Sequence, residues 1–502
     1  MIHSLRLLAL LLALGGVVFG QDALGLERGL GSLRIEALRA DLEFFADRSL
    51  RGRSTPSLGQ RVAARFLRAR LMRLGWQPAG EPLGAPLGAP VGEPVGPEAQ
   101  RSWFQSFEVY QRFLDPQLSR LFLVAGEETR ELRLGQDYFV GRFEQVQNLE
   151  LEGGVVFCGR ASAAELEACE LEGRWALCLD DGRANRGRAA RLEAQGALGI
   201  LLMGDLRKPG DALGRRARKA QLTKTAPKLY NADAPPAPVA FPELTLNRGG
   251  ASALFGLAGL GEEGAWPALG QALELRLRER RSGSGRKAVE NVCALWPGSD
   301  PQLAQEVIVV SAHYDHLPPS GARVFQGADD NGSGCMGLLA LAEALVEYGP
   351  MRRSLLFLWL TGEEDGLRGS ETFARHSTLD PELRAICNIN IDMIGRNASD
   401  SLFLSPSPAH PEYSGLSALT HELAALEGFS QLGSADEYWT RADSYHFSQT
   451  MQLPVVFLFS GLHEDYHLHT DTPDKVDYHK LRRASRLVLR LLDRLQVDSL
   501  EL

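Results

Sequence analysis

Two adjacent carboxylates, Glu363 and Glu364, follow the unbroken apolar run Leu355–Leu360 after only Thr361 and Gly362. Such a pair can divide its labour, one acid holding a cation while the other moves protons. Alone, it fits equally well a wetted helix start, where acids are favoured by the helix dipole. The rest of the chain decides, because three more apolar runs end on comparable groups. Val307–Ala312 leads into His313 and Asp315, Ile386–Ile391 leads into Asp392, and Pro454–Gly461 is followed by Tyr466 and His467. A further set, Asp329–Asp330 in GADDNGSG, stands just before a helical segment. Five such sets need a common cause, and a metal centre is the economical one. The donors suit two ions: two histidines, three or four carboxylates, and one acid able to bridge. Mixed nitrogen and oxygen donors favour Zn2+, with Mn2+ or Co2+ as substitutes.

For these groups to meet, the runs that precede them must be neighbouring strands. Apolar runs without alternation suit strands buried on both faces, as in a parallel sheet covered by helices, and ligands of such sheets bind beyond the carboxyl ends of the strands. From Val289 onward, apolar runs alternate with amphipathic helical segments, among them Cys335–Tyr348, Leu416–Gly428 and Leu481–Leu495. This order predicts an α/β fold, a three-layer α/β/α sandwich with a mixed, largely parallel sheet. Ahead of it, 35–74 predicts two helices joined by the polar loop LRGRSTPS, and 79–96 is a Pro/Gly-rich surface loop. Trp103–Tyr110 and Leu121–Val124 read as strands. Residues 135–262 change character, with short apolar strands, a helix-and-strand pair (RAARLEAQGALGILLMGD) and a basic run from Arg207 to Lys228 that reads as a solvated loop. Leu273–Arg280 alternates like a strand with one wet face, and Val289–Gly298 reads as its hairpin partner.

The chain has 502 residues, 44% of them hydrophobic and 23% charged, as in a globular protein of two or three domains. A formal charge of −9 gives no reason to expect nucleic acid or an anionic membrane as partner. The first twenty residues, with Arg6 ahead of LLALLLALGGVVF, predict a cleaved export signal and thus a secreted or periplasmic location, with no stable membrane span after its removal. Of six cysteines, Cys158, Cys169 and Cys178 are close enough in sequence for one disulfide, whereas Cys293, Cys335 and Cys387 read as buried small hydrophobes. The organisation is therefore a signal at 1–20, a main domain in two parts (33–134 and 263–502), and an inserted segment at 135–262.

The motifs AHYDH, GADDNGSG, TGEEDGLRGS, NIDMIG and YHLHTDTPDK, in this order, resemble those of the co-catalytic dizinc aminopeptidases, a clan that includes glutamate carboxypeptidase, glutaminyl cyclase and the transferrin receptor. The likeness is dense from Asn291 to about Tyr478 and looser over the leading helices. The segment 135–262 resembles a protease-associated domain, a small β-rich module. The resemblance implies that His313 and Asp392 hold one ion, Glu364 and His467 the other, and Asp330 bridges them. It further implies Glu363 as general base, Tyr466 as oxyanion donor, Asp315 as the acid orienting His313, and a cis peptide between Asp330 and Asn331. Tyr438 and His446 fall in a region that lines the substrate pocket in such relatives. Two Zn2+ per chain and peptide substrates with a free N-terminus follow as expectations.

The sequence departs from the family where Leu468–His469 replaces a Thr-Pro pair. His469 thus competes as a ligand, but the Tyr466–His467 pair favours His467. His316 and His463 read as rim residues, and His376, His410, His421 and His479 as surface. Rival readings are a carboxypeptidase- or dipeptidase-type enzyme, a glutaminyl cyclase, and a receptor without activity. The cyclase works with one zinc and receptor-like relatives lose ligands, whereas every ligand position is filled here. Residue specificity and oligomeric state are not legible.

Overall fold

The structure, a computed structural model, describes residues 24–83, 100–112, 119–140, 149–180, 187–207, 210–223, 228–231, 241–260, 266–281 and 285–502. The export signal read at 1–20 and most of the Pro/Gly-rich loop lie outside the described residues. Among those described, no helix is long and apolar enough to cross a membrane. The chain forms two compact units, one of residues 1–108 with 288–502 and one of 109–287.

The first unit contains helices α1 (Ile35–Phe45) and α2 (Leu58–Arg73), then strands β1 (Phe104–Arg112), β2 (Gly285–Trp296) and β3 (Glu306–His313). Helix α3 (Gly334–Tyr348), β4 (Ser354–Leu360), α4 (Arg368–Arg375), β5 (Arg384–Asp392) and β6 (Ser401–Ser405) follow. The unit closes with α5 (Gly415–Leu426), β7 (Gln431–Ser434), α6 (Ser444–Gln449), β8 (Val455–Phe459) and α7 (Tyr478–Arg494). The sheet order is β7-β6-β8-β5-β3-β4-β2-β1. Its centre is parallel, β8 to β5, β5 to β3 and β3 to β4, while β6 and β2 run antiparallel to their inner neighbours. The sheet is thus mixed with a parallel heart, and β3, β4, β5 and β8 end on the same edge.

Strand β4 explains the three layers. It is buried throughout, and the two-residue period of a strand splits its side chains between two cores. Leu355, Phe357 and Trp359 join a core built with α1, α2, α3, α5 and α7, whereas Leu356, Leu358 and Leu360 join Phe373 of α4 and Phe447 of α6. Burying one such large side chain contributes about 1.5–3 kcal/mol.

In the second unit, a sheet runs in the order Glu128–Leu132, Arg120–Ala125, Ala272–Arg281, Leu149–Phe157, Trp175–Leu179, Gly199–Met203, Glu243–Leu246, Tyr138–Val140. The inserted segment read at 135–262 lies within this unit, which is wider because Arg120–Ala125 and Ala272–Arg281 belong to its sheet. Two local readings are corrected. Ala272–Arg281 does not form a hairpin with β2: it pairs with Arg120–Ala125 and Leu149–Phe157, and β2 pairs with β4. Leu273, Leu275 and Leu277 are buried in the second unit's core, Val292 and Ala294 in that of the first, so burial in two separate cores overrides the local turn. The basic run is not a loop over its middle. Ala212–Thr223 (ALGRRARKAQLT) is helical, because Ala, Leu, Arg, Lys and Gln are strong helix formers whatever their charge. All six cysteines are free, so no disulfide joins Cys158, Cys169 or Cys178.

Candidate metal centre

The sheet edge assembles the groups that the strand ends carry. His313 ends β3, Asp392 ends β5, and Glu363 and Glu364 follow β4 by three and four residues. Gly362 makes that turn at φ +74°, a backbone that L side chains rarely adopt. Asp330 comes from the loop that starts α3, and His467 from the loop after β8.

Asp330 is the hub. His313 Nε2 is 3.5 Å from Asp330 Oδ1 and 3.3 Å from Asp392 Oδ1. On the other side, His467 Nε2 is 3.2 Å from Asp330 Oδ2 and 3.0 Å from Glu364 Oε2. Two groups of metal-ligand type therefore share Asp330, one with His313 and Asp392 and one with His316 and Glu364, and His467 faces the second. A cation held tetrahedrally by bonds of about 2.0–2.1 Å sets its ligands about 3.3 Å apart. The measured separations centre on that value rather than on the about 2.8 Å of a charge-assisted hydrogen bond. Among the described residues, buried Asp330 Oδ2, Glu364 Oε1 and Asp392 Oδ1 also make no hydrogen bond of sound geometry. These donors fit a pair of divalent cations, and imidazole with carboxylate suits zinc.

The loop geometry is fixed by hydrogen bonds to its backbone. The Asp471 carboxylate accepts from the N–H groups of Asp329 and Asp330 at 3.1 Å each. Asn331 donates to the Ile391 carbonyl (2.9 Å) and its side-chain oxygen accepts from Met393 N (3.1 Å), which ties the hub to the loop carrying Asp392. The Asp330–Asn331 peptide is cis, as the family resemblance implies. Arg53, with no exposure, donates to the carbonyls of Phe45, Tyr314, Gln326 and Gly327 at 2.8–2.9 Å. It lies in the segment read as a polar loop. Its guanidinium instead braces the backbone next to His313 and ahead of Asp329, a role the LRGR residues do not announce.

The electrostatics separate the two glutamates. Desolvation raises the Glu363 carboxyl well above its usual range, His313 opposes this, and Glu364, Asp443 and Asp392 reinforce it. Burial acts on Glu364 in the same direction, but His316 and His467 outweigh it and hold that carboxyl well below the usual range. Hence one acid is suited to carry a proton and its neighbour to remain charged. Burial lowers His467, yet the Asp330 and Glu364 carboxylates beside it lift it to about 10.

Several sequence readings are corrected here. The Asp315 carboxylate faces His313 only at ion-pair distance, Oδ1 3.9 Å from Nδ1, while the Asp315 carbonyl oxygen is nearer at 3.2 Å. The carboxylate accepts instead from Glu363 N at 3.2 Å, so it positions the proton carrier. His316 is buried, not at a rim, with Nδ1 2.7 Å from Glu364 Oε1. His463 also turns inward, its Nε2 3.4 Å from buried Asp329 Oδ2. The cleft is lined by His313, Asp330, Glu363, Asp392 and His467 together with Tyr438, Arg441, Phe457, Phe459 and Tyr466. Tyr438 is among these residues, but His446 is not and packs beside Tyr445. His469, His376 and His479 are exposed, and His410 and His421 are half-buried beside Trp439 and Tyr413. Arg441, missed in the sequence, donates from Nη2 to the Tyr466 hydroxyl at 3.0 Å.

Residues 291–492 match the model of Peptidase family M28. A probable leucine aminopeptidase of Arthroderma otae is 30% identical over 201 residues, 38% of this chain and 54% of that protein. A probable leucine aminopeptidase 2 of Trichophyton verrucosum is 36% identical over 126 residues, 25% of this chain and 22% of that protein. The chain spans about half the length, or less, of these curated relatives. Among solved structures, an aminopeptidase from Aneurinibacillus sp. strain AM-1 overlays at 16% identity and a TM-score of 0.49, covering 94% of this chain and 95% of that one.

Proposed function

We propose, on the premise that residues 291–492 form a Peptidase family M28 domain, that this protein is a zinc-dependent aminopeptidase releasing N-terminal residues from peptides. The observation that carries this reading is the convergence of two histidine-and-carboxylate sets on Asp330, at the floor of a cleft that also holds Glu363 and Tyr466. Bound there by His313 and Asp392, by Glu364 and His467, and jointly by Asp330, two divalent cations would acidify a water and polarise a peptide carbonyl.

The chain's own groups supply the rest. Glu363 accepts the proton of the attacking water and passes it to the departing amine, a task its raised affinity for protons suits. Asp315 holds the Glu363 backbone through its N–H, which fixes the direction from which that carboxylate reaches the water. Tyr466 donates its hydroxyl proton to the developing oxyanion, while Arg441 donates to the same hydroxyl oxygen and orients it. Burial raises Tyr466 above its usual value, so it stays a donor. A peptide carbonyl next to a free ammonium sits well over this acidic floor, and Met393, Phe457 and Phe459 offer an apolar wall for the first side chain.

The zinc-loaded chain is therefore expected to hydrolyse leucine 4-nitroanilide, and to cleave the N-acetylated compound at least about 100-fold more slowly, because the blocked amine leaves the acidic groups unpaired. Equal cleavage of both, or release of C-terminal residues from peptides with blocked N-termini, would overturn the aminopeptidase assignment and favour a carboxypeptidase-type reading.

A further inference from the structure

We propose that His316 is itself a metal ligand, the fourth protein group on the Glu364 side of the centre. The proposal rests on reading the strand-end cluster as a two-cation site, and it makes the two halves of that site unequal.

The imidazole of His316 is fully buried, with Nδ1 2.7 Å from Glu364 Oε1 and 3.6 Å from Asp330 Oδ2. Neither ring nitrogen makes a hydrogen bond of sound angle among the described residues, and the same is true of Glu364 Oε1 and Asp330 Oδ2. Three lone-pair donors thus converge on one point without satisfying one another, which costs about 1–3 kcal/mol for each buried polar group left so. An ordinary histidine–carboxylate hydrogen bond would aim the N–H along the oxygen lone pair and leave Asp330 aside. A shared cation satisfies all three, and the spacings bracket the about 3.3 Å expected between tetrahedral ligands. His467 faces the same two carboxylates from its own side, with its ring centroid 5.8 Å from that of His316 and nearly perpendicular.

The placement of this ring is built in. Gly327 lies against it at φ +57°, where an added Cβ would fall 2.5 Å from the His316 Cγ, and Arg53 holds the Gly327 carbonyl. Any larger residue at 327 would push the imidazole off Glu364.

The consequence is an asymmetry. Asp330, Glu364, His467 and His316 would give one ion four protein groups. His313, Asp392 and Asp330 give the other three, which leaves a position for a reacting group. Of the groups on the two sides, His313, Asp330, Asp392 and His467 line the cleft, whereas His316 and Glu364 lie behind it.

The test uses the full chain, labelled with 15N-histidine, stripped with chelator and titrated with 113Cd2+. Three histidines are expected to show 113Cd–15N scalar coupling, with Nδ1 as the coupled atom of His316. In H316A two couplings remain, and affinity on the Glu364 side falls at least about tenfold while the His313-side affinity is kept, which also shows that the variant is folded. Two bound ions with coupling at only two histidines in the unmutated chain would overturn the role of His316 and leave the metal centre standing. Absence of any bound ion would overturn both.

Discussion

Replacing Glu363 with glutamine is expected to lower kcat by about 10^2–10^4-fold while zinc content and KM stay near their starting values. The amide keeps the size and the cleft-facing position of the carboxylate, and its backbone N–H still reaches Asp315 Oδ1 at 3.2 Å. What it loses is the ability to take a proton. A loss of that size corresponds to about 3–5 kcal/mol of transition-state stabilisation, which separates a proton carrier from a residue that merely shapes the cleft. Glu364→Ala tells the two adjacent acids apart, because Glu364 lies 2.7 Å from His316 and 3.0 Å from His467 and belongs to the ligand shell. That variant loses metal and activity together. Metal analysis beside steady-state kinetics reads the difference, and E363Q with unchanged kcat would remove Glu363 from the mechanism.

Asp330→Ala is expected to abolish activity through a different route, by loss of both ions. Its two carboxylate oxygens face different partners, Oδ1 towards His313 and Oδ2 towards His316 and His467. Removing them takes a donor from each side and leaves buried His313 and His316 and half-buried His467 among fewer carboxylates. Asp392→Ala touches only the His313 side, so it should release one ion and spare the other. Titration of metal-free protein, followed by calorimetry, distinguishes these cases. Equal loss of both ions in D330A with single loss in D392A supports Asp330 as the bridge, and retention of two ions in D330A would contradict it.

Much of this centre was legible in the sequence because strand ends announce themselves. Apolar runs without alternation break at Thr361, Asp392 and His313, and the polar residues placed there must share one edge if the strands are parallel neighbours. The edge strand Gln431–Ser434 and its neighbour Ser401–Ser405 were not legible. They are short, and their pairing is fixed by partners distant in sequence. Side-chain direction was equally hidden. His316 stands one residue beyond Asp315 and reads as loop rim, yet the turn after β3 carries it inward against Gly327. Asp315 follows the ligand by two residues, a natural spacing for a carboxylate–imidazole pair, but its carbonyl takes that place and its carboxylate serves Glu363. Arg53 shows the same limit from the other side. A charged residue in a polar loop has every sign of exposure until four carbonyls from three segments are found around it.

The central claim is that the sheet edge holds two metal ions joined by Asp330. Its most direct test is a crystal of the zinc-loaded protein measured at the zinc absorption edge. The account predicts two anomalous peaks, one among His313, Asp330 and Asp392 and one among Asp330, Glu364, His467 and His316. A single peak, or none at these residues in protein saturated with zinc, would contradict it.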